Sequence, residues 1–107
     1  MERAFAAVSD PRRRDILRLL THGERSAGQV AEKFPDVTRS AVSQHLSVLK
    51  DAGLVELRRD GTHRFYRASR RGIEELRRYL DSFWEQQLDN LKRAAAREET
   101  TRRGKRK

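Results

Sequence analysis

The 107-residue chain contains no cysteine. That absence excludes a disulfide scaffold, a thiolate metal site and a thiol nucleophile. Histidine is scarce as well: His22, His45 and His63 are scattered and lack the spacing of metal ligands. No run of about 18 apolar residues occurs, so no stretch is built to span a bilayer, and Met1-Glu2-Arg3-Ala4-Phe5 is no secretory signal. A soluble, cytoplasmic protein with no membrane partner is expected. No Gly-rich loop resembles a phosphate cradle. Ser43 and His45, two apart on a helix, point about 200° apart and cannot pair as nucleophile and base. The acidic pairs Glu74-Glu75 and Glu98-Glu99 lie on exposed helical stretches without a cleft-forming context. No enzyme activity and no cofactor are expected.

What is abundant is charge. Charged residues make up 38% of the chain and apolar residues 36%, so the core must be lean and local. The length suits one domain. Lys and Arg number 25 against 16 Asp and Glu, a net of +9, which argues for a polyanionic partner. The excess is uneven. Residues 1–36 carry +1, residues 37–72 carry +5, residues 73–99 carry −2 and residues 100–107 carry +5. This distribution suggests a basic binding surface and a separate, acidic element with another task.

Glu2 to Val8 reads as a short helix. Asp10 is a good N-cap and Pro11 suits the first position of a second helix, which runs to about Thr21, buries Ile16, Leu17 and Leu20 and ends at Gly23. Ser26-Ala27-Gly28-Gln29 has the spacing of a capping box. It opens a third helix with Val30, Ala31 and Phe34, stopped by Pro35. Thr38 caps a fourth helix that ends near Ala52, with Gly53 beyond it. The period then changes to two: Val55 and Leu57 share one strand face, Glu56 and Arg58 the other. Asp60-Gly61 signals a hairpin turn, and Arg64-Phe65-Tyr66-Arg67 returns as the second strand. From about Ser69 to Ala96 a last helix places Ile73, Leu76, Leu80, Phe83, Trp84, Leu88 and Leu91 at spacings of three and four. Residues 97–107 form a basic tail expected to be disordered. The fold class is mainly α with a small β-hairpin.

The fourth helix divides into two arcs at 100° per residue. Ala41, Val42, His45, Leu46, Val48, Leu49 and Ala52 share one, and Arg39, Ser40, Ser43, Gln44, Ser47, Lys50 and Asp51 the other. A helix needing only solubility would carry Glu/Lys pairs outward. This one offers small hydroxyls, an amide and two cations, which suit close approach to the major groove and bidentate contact with adenine and guanine edges. A merely solvated face is the competing reading. Beside it, the hairpin carries Arg58, Arg59, His63 and Arg64, suited to the sugar–phosphate backbone or the minor groove; alone, a basic hairpin also serves to protect an edge strand.

Asp10-Pro11-Arg12-Arg13-Arg14-Asp15-Ile16-Leu17 resembles the opening of the ArsR/SmtB family of bacterial winged-helix repressors. The stretch from Ser40 to Val55 (Ser-Ala-Val-Ser-Gln-His-Leu-Ser-Val-Leu-Lys-Asp-Ala-Gly-Leu-Val) resembles that family's recognition helix and its exit into the wing. The resemblance covers about residues 2–96 and implies a winged helix-turn-helix domain for DNA binding and dimerisation. It implies DNA contact by Thr38, Arg39, Ser40, Ser43, Gln44, His45 and Ser47, and backbone contact by Arg58, Arg59, His63 and Arg64. His45 falls on the inward arc, so a packed histidine is the alternative there. The family's paired cysteines match Ser26 and Gly28 here, and no histidine follows His63. The chain therefore looks like the metal-independent branch, which carries a Phe-Trp pair in the last helix, here Phe83-Trp84.

The last helix has an apolar stripe of about 18 residues, more than a short helical body can cover, flanked by Glu/Arg pairs. It reads as a homodimer seam, and with the resemblance it gives Phe5, Leu76, Leu80, Phe83, Trp84, Leu88 and Leu91 as interface residues. The expected function is a homodimeric, sequence-specific repressor that binds a palindromic operator in double-stranded DNA. The alternative is a winged-helix interaction module or a nonspecific nucleoid-like DNA binder. No residue pattern marks an effector site.

Overall fold

The computed structural model describes the backbone of residues 1–105 and the side chains of residues 1–99. In chain order the elements are α1 (Glu2–Val8), α2 (Pro11–Thr21), β1 (Arg25–Ser26), α3 (Ala27–Lys33), α4 (Arg39–Asp51), β2 (Val55–Asp60), β3 (His63–Ala68) and α5 (Arg70–Lys105). The chain divides into two compact units, one from Met1 to Leu76 and one from Arg77 onward. The second consists of the continuation of α5.

Helix ends in the first unit follow from local chemistry. Asp10 accepts from the backbone N–H groups of Arg12 and Arg13, at 2.8 and 3.3 Å, so two of the donors that a helix start leaves unpaired are satisfied. The guanidinium of Arg13 reaches back to the carbonyls of Ala7 and Ala6, and that of Arg14 to Val8 at 2.7 Å. The Arg run after Pro11 therefore caps the end of α1 while opening α2, with positive charge where the helix dipole is negative. Both bonds of the Ser26–Gln29 capping box are present. α4 starts at the Thr38 hydroxyl, which accepts from the N–H of Ala41. It ends in a Schellman motif: Gly53 N–H donates to Lys50 and Leu54 N–H to Leu49, with Gly53 at φ +78°.

Ile16, Val30, Val42, Leu46, Leu49 and Leu54 are fully buried and form the centre of the core. Burying each such side chain contributes roughly 1.5–3 kcal/mol. Leu76 joins them at 6% exposure. At the far side of the core the α4 exit and the α5 start meet backbone to backbone. Ser69 N–H donates to the Leu54 carbonyl at 2.8 Å, and the Ser69 hydroxyl accepts from Gly72 N–H at 3.1 Å.

Four details depart from the sequence reading. Helix α2 ends without a left-handed glycine, because His22 closes it in a right-handed conformation. The hairpin turn is Gly61-Thr62, one residue later than Asp60-Gly61: Asp60 already pairs with His63, and only Gly61 has positive φ (+61°). A positive φ confined to the first central residue is the pattern of a type II′ turn, whose twist matches the strands. The hairpin also gains a third strand, since β1 pairs antiparallel with β3 through Arg25–Tyr66 and Ser26–Phe65, giving the order β1-β3-β2. Finally, α5 continues past Ala96 to Lys105, because the Arg- and Glu-rich stretch after Ala96 contains no proline to stop it. The tail expectation over residues 97–107 falls in part on residues 106 and 107, which lie outside the described residues.

Candidate nucleic-acid interface

The two arcs of α4 are sorted as the helical period requires. Val42, Leu46 and Leu49 are buried, and Ala41, His45, Val48 and Ala52 are half-buried. Arg39, Ser40, Ser43, Gln44, Ser47, Lys50 and Asp51 are all exposed. The outer face of α4 thus presents three serines, one amide, two cations and one carboxylate to solvent. Thr38 is exposed at the helix start, its hydroxyl committed to the cap.

His45 sits at the half-buried margin of the inward arc and helps hold the Asp10 carboxyl in its charged form. Desolvation pushes that carboxyl up, but the backbone N–H groups of Arg12 and Arg13, the Arg13 guanidinium and His45 outweigh it, and the net shift is downward.

The short strand β1 has a large consequence for the site. It holds the start of α3 against β3, so that a polar cleft of about 370 Å³ forms between β1, α3, α4 and the hairpin. Ser26, Ala27 and Gly28 line it from β1 and α3, Arg39 and Ser43 from α4, and Thr62, His63, Arg64 and Tyr66 from the hairpin. Arg39 and Ser43 of the fourth helix and His63 and Arg64 of the hairpin thus converge on one concave surface, whereas Thr38, Ser40, Gln44, His45, Ser47, Arg58 and Arg59 do not line it. Ser26, Ala27, Gly28, Thr62 and Tyr66 were not among the residues expected at the DNA-binding site. A two-residue strand has no periodicity to detect, so the juxtaposition of α3 with the hairpin had no local signal.

The basic residues of the hairpin are divided between the two faces of the sheet. Register sets Arg59 opposite Arg64, on the face of Leu57 and Tyr66. Arg58 lies on the other face opposite Phe65, with its guanidinium 4.9 Å from the ring centroid. It also bonds Glu24, with Nε at 3.1 and 3.0 Å from the two carboxylate oxygens and Nη2 at 2.5 Å from Oε1. That bond holds the Glu24 carboxyl below its ordinary range and raises the Arg58 guanidinium further. Arg59, His63 and Arg64 are exposed.

Along α5, Phe83, Trp84, Leu88 and Leu91 are exposed, Trp84 and Leu91 at 63% and 65%, and Leu80 is half-buried. Phe5 on α1 is exposed at 48%. Leu76 differs from these, being a core residue of the first unit. Among the described residues no three His, Asp or Glu side chains cluster as metal ligands, and no helix is long and apolar enough to cross a membrane.

Helices α3 and α4, joined by a five-residue turn and followed by a β-hairpin beside the polar face of α4, define a winged helix-turn-helix domain. A family model described as a helix-turn-helix domain matches residues 8–58. The chain is 46% identical over 87 residues to the HTH-type transcriptional regulator Rv2034 of Mycobacterium tuberculosis, covering 81% of this chain and 80% of that protein. It is similar in structure to an ArsR-like transcriptional regulator from Rhodococcus, at 34% identity and a TM-score of 0.71, with 88% of this chain and 91% of that one covered. A homodimeric winged helix-turn-helix DNA-binding domain from Mycobacterium bovis, described as from a possible ArsR-family regulator, matches at 32% identity and a TM-score of 0.63, covering 78% and 77%. The chain belongs to the ArsR family of transcriptional regulators.

Proposed function

We propose that the chain is a cytoplasmic, homodimeric repressor that reads a palindromic operator through α4. The observation that carries this reading is the outer face of α4: exposed Ser40, Ser43, Gln44 and Ser47 flanked by Arg39, of which Arg39 and Ser43 line a cleft shared with the hairpin. Short hydroxyl side chains let the helix backbone approach the floor of the major groove, and Gln44 and Arg39 then reach adenine and guanine edges in bidentate fashion. Thr38 lies at the α4 start, where backbone N–H groups and the helix dipole favour a phosphate. Arg59, His63 and Arg64 take the flanking backbone, a contribution that is electrostatic and independent of sequence. His45 lies at the half-buried margin of the inward arc, beneath the exposed face of α4.

Dimerisation is supported by the exposed stripe of Phe83, Trp84, Leu88 and Leu91 with Leu80, by exposed Phe5 on α1, and by the homodimeric state of the Mycobacterium bovis domain. Four large apolar side chains left in water on one helix are a costly surface for a monomer. A two-fold dimer presents two α4 helices to half-sites about one helical turn (~34 Å) apart, which requires a pseudo-palindromic operator. Repression follows from occupying a site that RNA polymerase needs.

Selection of bound duplexes from a random library, followed by affinity measurements on the enriched site, tests this reading. Gln44→Ala and Arg39→Ala are each expected to cost about 1–3 kcal/mol on that site and to relax one base position. Equal weakening on enriched and random DNA would overturn base reading by these two residues.

A further inference from the structure

The hairpin packs against α2, α3 and α4, and one side chain also ties it to the segment before β1. Arg58 extends from β2 across Phe65 on β3 to Glu24, which precedes β1 and is 34 residues away in sequence. All three strands of the sheet are thus tied by one side chain. Three hydrogen bonds hold the guanidinium to the Glu24 carboxylate, which is the bidentate geometry that arginine supports and lysine does not. Asp60 adds a second carboxylate 3.8 Å from Nη1. The His63 ring lies beside the same phenyl ring at the turn end of the hairpin, 6.1 Å between centroids and tilted by 32°.

We infer that Glu24, Arg58 and Phe65 form a clamp that sets the orientation of the hairpin, with Arg58 a positioning residue for DNA binding and not a phosphate contact. The inference rests on the DNA-binding reading above and replaces the backbone contact that the family resemblance implied for Arg58. Charge and direction both favour it. Arg58 with Glu24 and Asp60 carries a net of −1, so an approaching phosphate would compete with two carboxylates already in place. Strand alternation sends Arg58 to the face opposite that of Arg64, and although His63 on the Arg58 face reaches the cleft beside α4, Arg58 itself does not line it. The clamp adds to the strand ladder, the two-residue edge strand β1 and the packing of the hairpin against α2 and α4.

The two roles predict opposite signs for one substitution. If Arg58 were a phosphate contact restrained by Glu24, Glu24→Gln would release it and remove a negative charge near DNA, and binding would tighten. The clamp predicts that Glu24→Gln weakens binding of the full-length chain to the selected duplex by roughly threefold or more. Arg58→Lys, which keeps the charge and loses the fork, should weaken it by a similar factor, and the double variant by no more than either alone. Tighter binding by Glu24→Gln, near-normal binding by Arg58→Lys, or additive losses would each overturn the clamp.

A second measurement is independent of DNA. Because the chain has no cysteine, Thr62→Cys gives a unique position for a nitroxide at the hairpin turn. The label should become more mobile when Glu24→Gln is added, with the unfolding midpoint recorded for each variant; unchanged mobility in a folded variant would overturn the inference. Absence of any sequence preference in the wild-type chain would instead defeat the repressor reading and leave the label result standing.

Discussion

Gly72 shows how a single residue can oppose its own propensity. It lies in the first turn of α5, where a Cβ would stand 1.9 Å from the carbonyl oxygen of Gly53. In an isolated helix alanine would be favoured over glycine by about 0.8–1 kcal/mol. Here the neighbour is backbone, fixed in the Schellman turn that ends α4, and it cannot step aside. Gly72→Ala is therefore expected to destabilise by roughly 1–3 kcal/mol, read as a lower urea midpoint at unchanged slope. Asp10 offers a second test at this scale. Asp10→Ala should cost about 1 kcal/mol through the lost cap, whereas Asp10→Asn keeps an acceptor and isolates the charge. Because the carboxyl of the folded protein lies below its ordinary 3.8, its charge adds stability that is present in full above that value and lost as pH falls through the folded value. Thermal unfolding from pH 7 downward should show wild type and Asp10→Asn converging in acid.

Among the elements, α4 was the most legible. Its inward and outward residues fall on the two sides that a period of 3.6 assigns, and its caps at Thr38 and Gly53 are the residues whose chemistry requires those positions. Helices betray themselves because every residue reports on one repeating geometry. Strand β1 has two residues and no period, so neither it nor the cleft it builds was legible. The α5 stripe was legible as apolar spacing, but spacing alone did not separate Leu76, which is in the core, from Leu88 and Leu91, which are in water. That separation gives a sharp expectation. Phe83→Glu combined with Trp84→Glu should convert a dimer to a monomer by sedimentation, with far-ultraviolet circular dichroism retained. Leu76→Ala should instead lower stability by about 2–5 kcal/mol as a core truncation.

At the scale of the whole molecule, the net charge of +9 resolves into parts with different tasks. Residues 37–72, which hold α4 and the hairpin, carry +5, yet Arg58 and Arg67 are engaged with Glu24 and Glu56. Residues 100–107 carry five basic and no acidic side chains. Removing them should weaken binding to random DNA and flatten its dependence on salt, while discrimination between the selected and random duplexes is retained. A loss of discrimination would give the tail a share in reading sequence.

The sequence by itself determined the order of the helices, the caps at Asp10, Ser26, Thr38 and Gly53, the polar face of α4 and the absence of cysteine chemistry, because each is written in local spacing or composition. Only the tertiary structure decided which hairpin cations are free and which are tied down, since Glu24 and Arg58 meet across 34 residues that no local pattern connects. The cleft beside α4 and the need for glycine at position 72 have the same origin. Each depends on two backbone segments, distant in the chain, arriving at one place, and that arrival is a property of packing.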